Sequence, residues 1–500
     1  MTKVRPSRFR SFWDSFADLR RLPRGLWFVI GAFAVESSAY FGVLTLMTTY
    51  LTADLHWGDV RAGLTVSVFT MLVTLFMLGI GSYAEQFGLR RPILFALAIS
   101  TAGRALYTVV PHLAGPASGP AGTAFFGATI VLASLFLVAI GSGILQPVCY
   151  SGVKQFTDEK TNSMGYGLIY AIMNLGIVGV AGLSSWVRPG VQHLKEGAGG
   201  VVAGRAWLQP LANVTVSGVQ AMNWVCAGIT LLTLVLFFVS MTRQAEAAKL
   251  RPEVVPARTP GTRTSVPEAL KRYFAEGPFA NPRFIFFIFM LLPVRTLFAH
   301  QWLTMPAYVL RAYPGDVADK MELLVNWINP LIIFFGVPIT TALTRHVNVY
   351  RMMSIGTLVS AVPTFLLCAG PNLALLITYF VLFSIGEALW SARFYEYASE
   401  LAPPGRVAQF MGLAQVPWLL AKGTAGLYSG WMLRTFCPEH VPPPSLHTGG
   451  LWFVYGCIAM TTPVGLWLAR RWVMAGLHDR QPVPPAQPTA PALSRSEPRP

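Results

Sequence analysis

Several ionisable residues fall inside long apolar runs of the chain, where an ionised side chain is costly. Glu36, Arg295, His300, Glu387 and Lys422 each lie well within such a run. A charge at the centre of a membrane-spanning helix costs about 3 kcal/mol on insertion scales, so such residues are retained mainly where they bind a solute, carry a proton or neutralise each other. Their types therefore predict solute binding and proton transfer within a membrane.

The acids and the histidine are the candidate proton carriers. Tyr40 lies one helical turn after Glu36 on the same helix face, which favours a polar cavity over a packing contact there. Glu387 has the same physics as Glu36, because both carboxylates lie in the middle of a span. A histidine side chain ordinarily titrates near neutrality, so His300 is a further candidate, although a hydrogen-bonded core histidine fits the sequence equally well.

The cations in the apolar runs have two interpretations. Lys422 lies near the middle of its run, so it needs an acidic partner such as Glu36 or Glu387, or an anionic solute. Arg104 is expected to snorkel or to pair structurally. Arg295 precedes His300 by five residues, and we expect both to face the same cavity as Lys422.

The elements that must position these residues follow from hydropathy. The 500 residues are 53% hydrophobic and 12% charged, with mean hydropathy +0.51, whereas soluble proteins carry roughly 25% charged residues. Apolar runs long enough to cross ~30 Å of hydrocarbon recur in two groups of six. They cover residues 25–53, 60–84, 91–113, 122–150, 161–187, 218–241, 283–309, 321–344, 350–369, 371–401, 406–433 and 449–473. The sequence predicts an all-α integral membrane protein with twelve transmembrane helices in two six-helix bundles.

Polar stretches divide the chain into five predicted regions. A basic N-terminus at 1–24, without a cleavable signal peptide, precedes a first bundle at 25–241. A linker at 242–282 leads to a second bundle at 283–473, and a proline-rich tail at 474–500 is expected to stay disordered.

The net charge of +16 reports membrane topology and not nucleic-acid binding. With the N-terminus in the cytoplasm, 27 Lys and Arg residues fall on the cytoplasmic side and six on the opposite side. This bias predicts that both termini are cytoplasmic in the cell (inner) membrane, with attraction to anionic lipid. We expect a monomer whose partners are protons and a small solute.

Enzymatic signatures are absent from the sequence. The five cysteines form no CxxC pair or metal-ligand spacing, and no GxxxxGK[ST], GxSxG or HExxH motif occurs. We therefore expect no enzyme activity, cofactor or metal. A membrane receptor or an enzyme that reuses the fold stays an alternative.

The loop after the second span resembles that of the major facilitator superfamily. In GIGSYAEQFGLRRP, residues 79–92, an acidic residue and paired basics follow small residues, with Glu85 standing where the superfamily usually has Asp. We expect Glu85 to face Arg90 and Arg91 and to form a contact that the movement of the two halves can break.

Further motifs resemble the proton-dependent oligopeptide transporters. The segments that match, in chain order and in both halves, are ESSAYFG at 36–42, GSGILQPVCYSGVKQF at 141–156, IYAIMNLG at 169–176, NPLIIFFGVP at 329–338 and GEALWSARFYEYASELAP at 386–403. The resemblance implies that Glu387 faces a substrate amino group and that Tyr40, Asn174 and Asn329 line the binding site. For the two asparagines, helix–helix contact is an equal alternative.

Departures from the family pattern bear on the substrate. Phe33 and Ser37 replace an acid and an arginine of the first-span signature, and Gln146 replaces a lysine near the substrate carboxylate. The positive clamp for a peptide carboxylate is therefore incomplete, and Glu36 alone remains of the proton-coupling cluster. We predict a proton-coupled symporter for a peptide-like or amine-bearing solute that works by alternating access. An organic anion or a drug-like cation is the alternative substrate.

Overall fold

The computed structural model describes residues 22–77, 87–114, 121–158, 161–197, 207–250, 282–344, 347–400, 414 and 416–478. All regular elements in these ranges are helices, and none of them is a strand. The predicted proline-rich tail lies outside the described residues except for its first five positions. Most of the predicted linker and of the basic N-terminus lie outside them too.

The first half contains six long helices. They are α1 at Arg24–Thr49, which continues as a π-helix at Tyr50–Asp54, α2 at Asp59–Phe76, α3 at Arg90–Ala114, α4 at Ala121–Phe156, α5 at Asn162–Lys195 and α6 at Gly218–Ser240. Short helices at Gln209–Val214 and Arg243–Ala247 flank α6.

The second half contains six more spans, three of them segmented. They are α7 at Pro282–Met290, Leu292–Leu303 and Met305–Ala312, α8 at Met321–Asn326 and Ile328–Thr344, α9 at Val349–Ala361 with a 3₁₀ extension at Val362–Ala369, α10 at Leu373–Glu400, α11 at Val416–Phe436 and α12 at Thr448–His478. The predicted all-α fold with twelve spans is confirmed.

The spans differ in how clearly their length and apolar composition identify them as membrane-spanning helices. Among the described residues, ten helices are long and apolar enough to cross a membrane by themselves, and the apolar part of α8 at Met321–Val337 is shorter. The 21 residues of α11 are long enough but include Lys422 and Arg434. Such helices depend on neighbours that cover their polar groups.

The segmentation of α7 has a local cause. New segments begin at Leu292 and Met305, each followed directly by a proline, Pro293 and Pro306. Proline has no backbone N–H and its ring crowds the preceding turn, so a helix restarts there instead of continuing. Hydropathy predicts the span but not these breaks, because it averages composition over the whole segment.

The two halves meet closely where α2 crosses α11. A Cβ atom at Gly430 would lie 2.4 Å from the carbonyl oxygen of Asp59, and one at Gly426 would overlap the side chain of Ser67. Only glycine allows this backbone approach, which is how membrane helices pack tightly without a hydrophobic driving force. Helix α5 packs on α8, and α1 on α7, to complete the contact between the halves.

Because the chain crosses twelve times, the start of the first span and the end of the last span lie on the same side of the molecule. The start of α1 at Arg24 and the end of α12 at His478 therefore share one face, which we name the terminal face. The opposite face, which carries the turn between α1 and α2, is named the far face.

Candidate functional site

A cavity of about 260 Å³ lies between the two halves. Its lining comes from α5 in the first half and from α7, α8, α10 and α11 in the second half: Tyr170, Arg295, Phe298, Val337, Glu387, Trp390, Ser391 and Trp418. This central cavity contains one carboxylate and one guanidinium group within a largely aromatic wall.

Glu387 is half-buried and oriented by the neighbouring span. Its Oε2 accepts a hydrogen bond of 2.6 Å from the Nδ2 of Asn329, which also lies 3.1 Å from the Oγ of Ser384. Because the amide of Asn329 contacts both Ser384 and Glu387, it fixes the orientation of the Glu387 carboxylate in the cavity wall. The structure thus joins two of the predicted binding residues, Asn329 and Glu387.

Arg295 is almost fully buried among aromatic rings. Its guanidinium carbon lies 4.3 Å from the ring centroid of Phe394, 5.1 Å from Trp418 and 5.4 Å from Trp390. Cation–π attraction is stronger at such a desolvated site than at a surface. The rings therefore stabilise a positive charge next to the cavity.

Lys422 lies at the junction of the two halves. Its Nζ donates a 3.0 Å hydrogen bond to the Oγ1 of Thr74 in α2, and its backbone carbonyl accepts one of 2.6 Å from the Oγ of Ser67. The same ammonium group lies 5.9 Å from the ring centroid of Trp418. Its contacts with described residues are thus a hydroxyl and a ring, and not the carboxylate of Glu36 or Glu387.

Glu36 is paired inside the first half. Its carboxylate oxygens lie 2.8 and 2.9 Å from the guanidinium nitrogens of Arg104, which also donates to the Oγ1 of Thr230. Both partners are at most 2% exposed. The pair joins α1, α3 and α6, so Arg104 has the structural partner that the sequence suggested. Tyr40, one turn away, packs against Phe69.

His300 lies within the packed interior of the second half. Its Nδ1 is 2.9 Å from the Oγ1 of Thr304 and its Nε2 is 3.0 Å from the hydroxyl of Tyr428. The imidazole also stacks on Tyr455 at a centroid distance of 3.8 Å. Both ring nitrogens therefore have partners in α7 and α11, and the residue is 1% exposed.

Three predicted binding residues of the first half lie outside the lining of the cavity: Tyr40, Gln146 and Asn174. Asn174 donates its amide to the carbonyl oxygen of Tyr170 at 2.9 Å, one turn earlier in α5. Gln146 is half-buried in α4. Tyr170, whose carbonyl oxygen accepts the hydrogen bond from Asn174, does line the cavity.

The loop motif binds the end of α6. Glu85 lies outside the described residues, and Arg91 is exposed. Arg90 donates from its Nε to the carbonyl oxygen of Met241 at 2.6 Å. The Oε1 of Glu246 accepts the backbone N–H groups of Leu89 and Arg90 at 2.8 and 3.1 Å. Glu246, which the sequence reading did not single out, therefore caps the start of α3.

One ion pair on the far face joins α5 to α8. The Nε of Arg188 lies 2.5 Å from Oε1 of Glu322, and its Nη2 lies 3.1 Å from Oε2 of the same carboxylate. Ser184 donates to Oε1 at 3.0 Å. Both charged residues are buried, so this bidentate pair is one of the stronger contacts between the halves.

A second ion pair joins the start of α2 to the end of α7. Arg311 holds Asp59 through two hydrogen bonds of 2.6 and 3.0 Å, and it donates to the carbonyl oxygen of Cys437 at 2.9 Å. The Oε2 of Glu439 lies 3.8 Å from the Nη2 of Arg311. We call Arg188–Glu322 and Arg311–Asp59 the far-face ion pairs.

Sequence reasoning missed the far-face ion pairs, although a signal was present. Arg188 and Arg311 entered the topology prediction only as flanking charges, while Asp59 and Glu322 were not considered. All four lie at or near the end of a predicted span on the same face. Opposite charges at span ends of one face are the pattern that would have indicated contact between the halves.

Comparison with known proteins gives a family match over most of the chain. The model of the Major Facilitator Superfamily matches residues 28–426. Two Arabidopsis thaliana proteins are similar over shorter stretches. Protein NRT1/ PTR FAMILY 8.2 is 29% identical over 196 residues, which is 35% of this chain and 34% of that protein. Protein NRT1/ PTR FAMILY 5.15 is 30% identical over 144 residues, which is 27% and 26%.

The fold is shared with solved transporter structures. A peptide transporter POT in complex with sulfate has a TM-score of 0.64 at 16% identity, over 90% of this chain and 95% of that one. A POT family transporter in complex with 5-aminolevulinic acid has a TM-score of 0.63 at 16% identity, over 90% and 97%. At this identity the likeness concerns the fold.

Proposed function

This chain belongs to the Major Facilitator Superfamily and is an integral membrane transporter, not an enzyme, and from that premise we propose that it moves a small amine-bearing organic solute under the drive of the proton gradient. The observation that supports this most is the carboxylate of Glu387, held by Asn329 in the wall of a cavity between the two halves. An ammonium group on that carboxylate gains a charge-assisted hydrogen bond in a desolvated site. A related POT family transporter was solved with 5-aminolevulinic acid, which carries an amino group.

Alternating access follows from the position of the cavity and the ion pairs. The far-face ion pairs hold α5 on α8 and α2 on α7, so this side is closed between the halves. We propose that these pairs break when the cavity opens to the far face, as the halves of such transporters rock about a central site.

The orientation in the membrane is also a proposal. The 27-to-6 bias of Lys and Arg supports a cytoplasmic terminal face in the cell membrane, next to anionic lipid. Tags on residue 500 that are detected only after permeabilisation agree with it, and detection on intact cells contradicts it.

The proton route rests on the carboxylate that lines the cavity. Glu36 and His300 stay predicted proton sites, but each has partners in the interior of one half that must first separate. Glu387 faces the cavity, so it can exchange a proton without such a step. We propose Glu387 as the group whose protonation is linked to transport, because a proton on this carboxylate removes the charged acceptor of the solute ammonium group and thereby releases it.

Uptake into proteoliposomes tests this function. We expect radiolabelled phenylalanyl-alanine amide to accumulate faster with an imposed pH gradient than without one, and Glu387→Gln to reduce uptake about tenfold or more, because a lost charged hydrogen bond typically costs ~1.5 to 3 kcal/mol. The matched control is Glu246→Gln, which removes a carboxylate that the structure places outside the cavity. Uptake that is equal in Glu387→Gln and wild type contradicts the proposal.

A second candidate substrate carries an anionic group, and Lys422 is the observation that favours it. Its ammonium contacts the hydroxyl of Thr74 and lies 5.9 Å from the ring centroid of Trp418, and the guanidinium carbon of Arg295 lies 5.1 Å from the same centroid. Competition by a dipeptide and by its C-terminal amide separates the two candidates. If the free dipeptide competes better and loses that advantage in Lys422→Ala, the lysine binds a carboxylate; if the amide competes better, the amine alone is recognised.

A further inference from the structure

Half of the residues that line the central cavity carry aromatic rings. Tyr170 comes from the first half, and Phe298, Trp390 and Trp418 come from three helices of the second half. The lining residues with charged or hydroxyl-bearing aliphatic side chains are fewer: Arg295, Glu387 and Ser391. Trp390 and Trp418 also stabilise the guanidinium of Arg295, but their rings still line the cavity, where they offer apolar surface to a bound solute.

The rings of the second half form a fixed wall. Phe298 packs edge-on against Trp390 and Trp418, at centroid distances of 5.8 and 5.7 Å. The Nε1 of Trp390 lies 3.3 Å from the Oγ of Ser360, which sets the orientation of that indole. Arg295 and Lys422 both lie over the ring of Trp418. Because these contacts fix the rings, a ligand ring would lose little free energy in ordering the wall.

The size of the cavity restricts the occupant. Its volume of about 260 Å³ lies just below the ~300 to 1,000 Å³ usual for pockets that hold drug-sized ligands. The space suits one ring and a short amine-bearing chain better than an extended tripeptide.

We propose that the central cavity selects amines that carry one aromatic ring a few bonds from the ammonium group. This inference rests on the proposed function, in which the ammonium group binds Glu387. The ring then packs against Trp390 and Trp418. Aromatic pairs in edge-to-face or offset geometry gain more than their buried area alone provides, so a planar ring is preferred over a saturated ring of the same size.

Competition for the uptake of radiolabelled L-phenylalanine amide into proteoliposomes tests the selection. The competitors are unlabelled L-phenylalanine amide, L-cyclohexylalanine amide and L-alanine amide, and thermal stabilisation of the detergent-solubilised protein by the same compounds reports binding without transport. We expect the phenylalanine amide to inhibit at a concentration at least tenfold lower than the alanine amide. The cyclohexyl compound should fall about 2- to 10-fold behind the phenyl compound.

Substitutions in α11 locate the effect. Trp418→Leu should remove most of the preference for the phenyl compound, while Trp418→Phe should retain it, because a phenyl ring can still pack on a ligand ring. The matched control is Trp431→Leu in the same helix, because Trp431 is 56% exposed and outside the cavity. Elution of each variant as a single peak in size-exclusion chromatography shows that it folds.

The outcomes separate the two levels of the proposal. If alanine amide and phenylalanine amide compete equally, or if the preference survives Trp418→Leu, the aromatic selection is wrong, while an unchanged dependence on Glu387 keeps the transport of amines intact. If none of the three amides competes or stabilises the protein, and Glu387→Gln changes nothing, the proposed function fails and the selection fails with it.

Discussion

Two buried ion pairs of this protein have the same chemistry but different positions in the fold. Glu36–Arg104 joins three helices within the first half, whereas Arg188–Glu322 joins one helix of each half. Breaking a buried pair leaves a charge without its partner in a medium of low polarity. In the proposed transport cycle, a pair within one half can stay closed throughout, while a pair that closes the far face opens once in every cycle. Position therefore decides whether the same interaction stabilises a bundle or one conformation of the transporter.

The largest expected effect concerns the pair inside the first half. Glu36→Gln should lower the stability of the protein by about 3 to 5 kcal/mol, because Arg104 is left buried and unneutralised. Thermal unfolding in detergent measures the loss. The double variant Glu36→Gln with Arg104→Met removes both charges and should recover most of it. A single variant as stable as wild type would falsify the structural role of this pair.

Charge reversal should separate the pair between the halves from the pair within one. Glu322→Arg places two cations together and should reduce uptake about tenfold or more by keeping the far face from closing, while Arg188→Glu with Glu322→Arg restores the attraction. We expect the double variant to recover at least half of wild-type uptake. Recovery in stability without recovery in uptake would show that the pair does not act in the transport cycle.

Opening of the far face can be followed at Cys437, just beyond the end of α11. The residue is fully buried, and this burial raises the pKa of its thiol to about 11. Since the thiolate is the reactive form, alkylation at pH 7.5 is slow in the closed state and accelerates as exposure returns the pKa toward about 8.5. Arg311→Met, which removes the contact with the carbonyl oxygen of Cys437, should increase the maleimide labelling rate at least tenfold.

The labelling experiment needs a background without other reactive thiols. Cys368 and Cys457 are at least partly accessible, so both are replaced by serine, while Cys149 and Cys226 stay buried in the first half. The double variant Glu36→Gln with Arg104→Met is the comparison, since it removes a pair within one half, keeps most of the stability and should not change access to the far face. Equal acceleration by both variants would remove the distinction between the two kinds of ion pair.

The smallest expected effect concerns the cap of α3. Glu246→Gln should cost about 1 kcal/mol, because the side chain keeps one acceptor for the N–H groups of Leu89 and Arg90 but loses its charge at a helix start. The melting temperature in detergent should fall by a few degrees, with uptake unchanged. A loss of uptake comparable with that of Glu322→Arg would assign this loop a role in the transport cycle.

The number and order of the spans could be predicted from hydropathy, because each helix must cover about 30 Å with side chains that tolerate lipid. The predicted second span at 60–84 agrees with α2 up to the last described residues. The helix breaks at Pro293 and Pro306 could not be predicted from the sequence. Proline inside a membrane helix is tolerated when neighbours satisfy the freed carbonyl groups, so its presence alone does not show where a helix ends.

The site was only partly predictable. Glu387 and Arg295 were found because a charge in an apolar run is rare, and both line the cavity. The same reasoning did not distinguish Glu36, a paired structural acid, from an acid that lines the cavity. Its partner Arg104 lies 68 residues away in sequence, and only the packing of α1 on α3 and α6 brings the two together. The far-face ion pairs depend on contacts between the halves, which periodicity within one helix does not encode.

The opposite polarity of the far-face ion pairs has an electrical consequence. In Arg188–Glu322 the first half supplies the cation, and in Arg311–Asp59 it supplies the anion. When the halves separate, each carries one positive and one negative group from these pairs, so no net charge is displaced by them across the membrane. A displaced elementary charge exchanges about 2.3 kcal/mol with a membrane potential of 100 mV, but a balanced set exchanges almost nothing. If the protein transports an amine and protons as proposed, the membrane voltage acts on the cycle through those charges, while the opening of the far-face ion pairs is electrically silent.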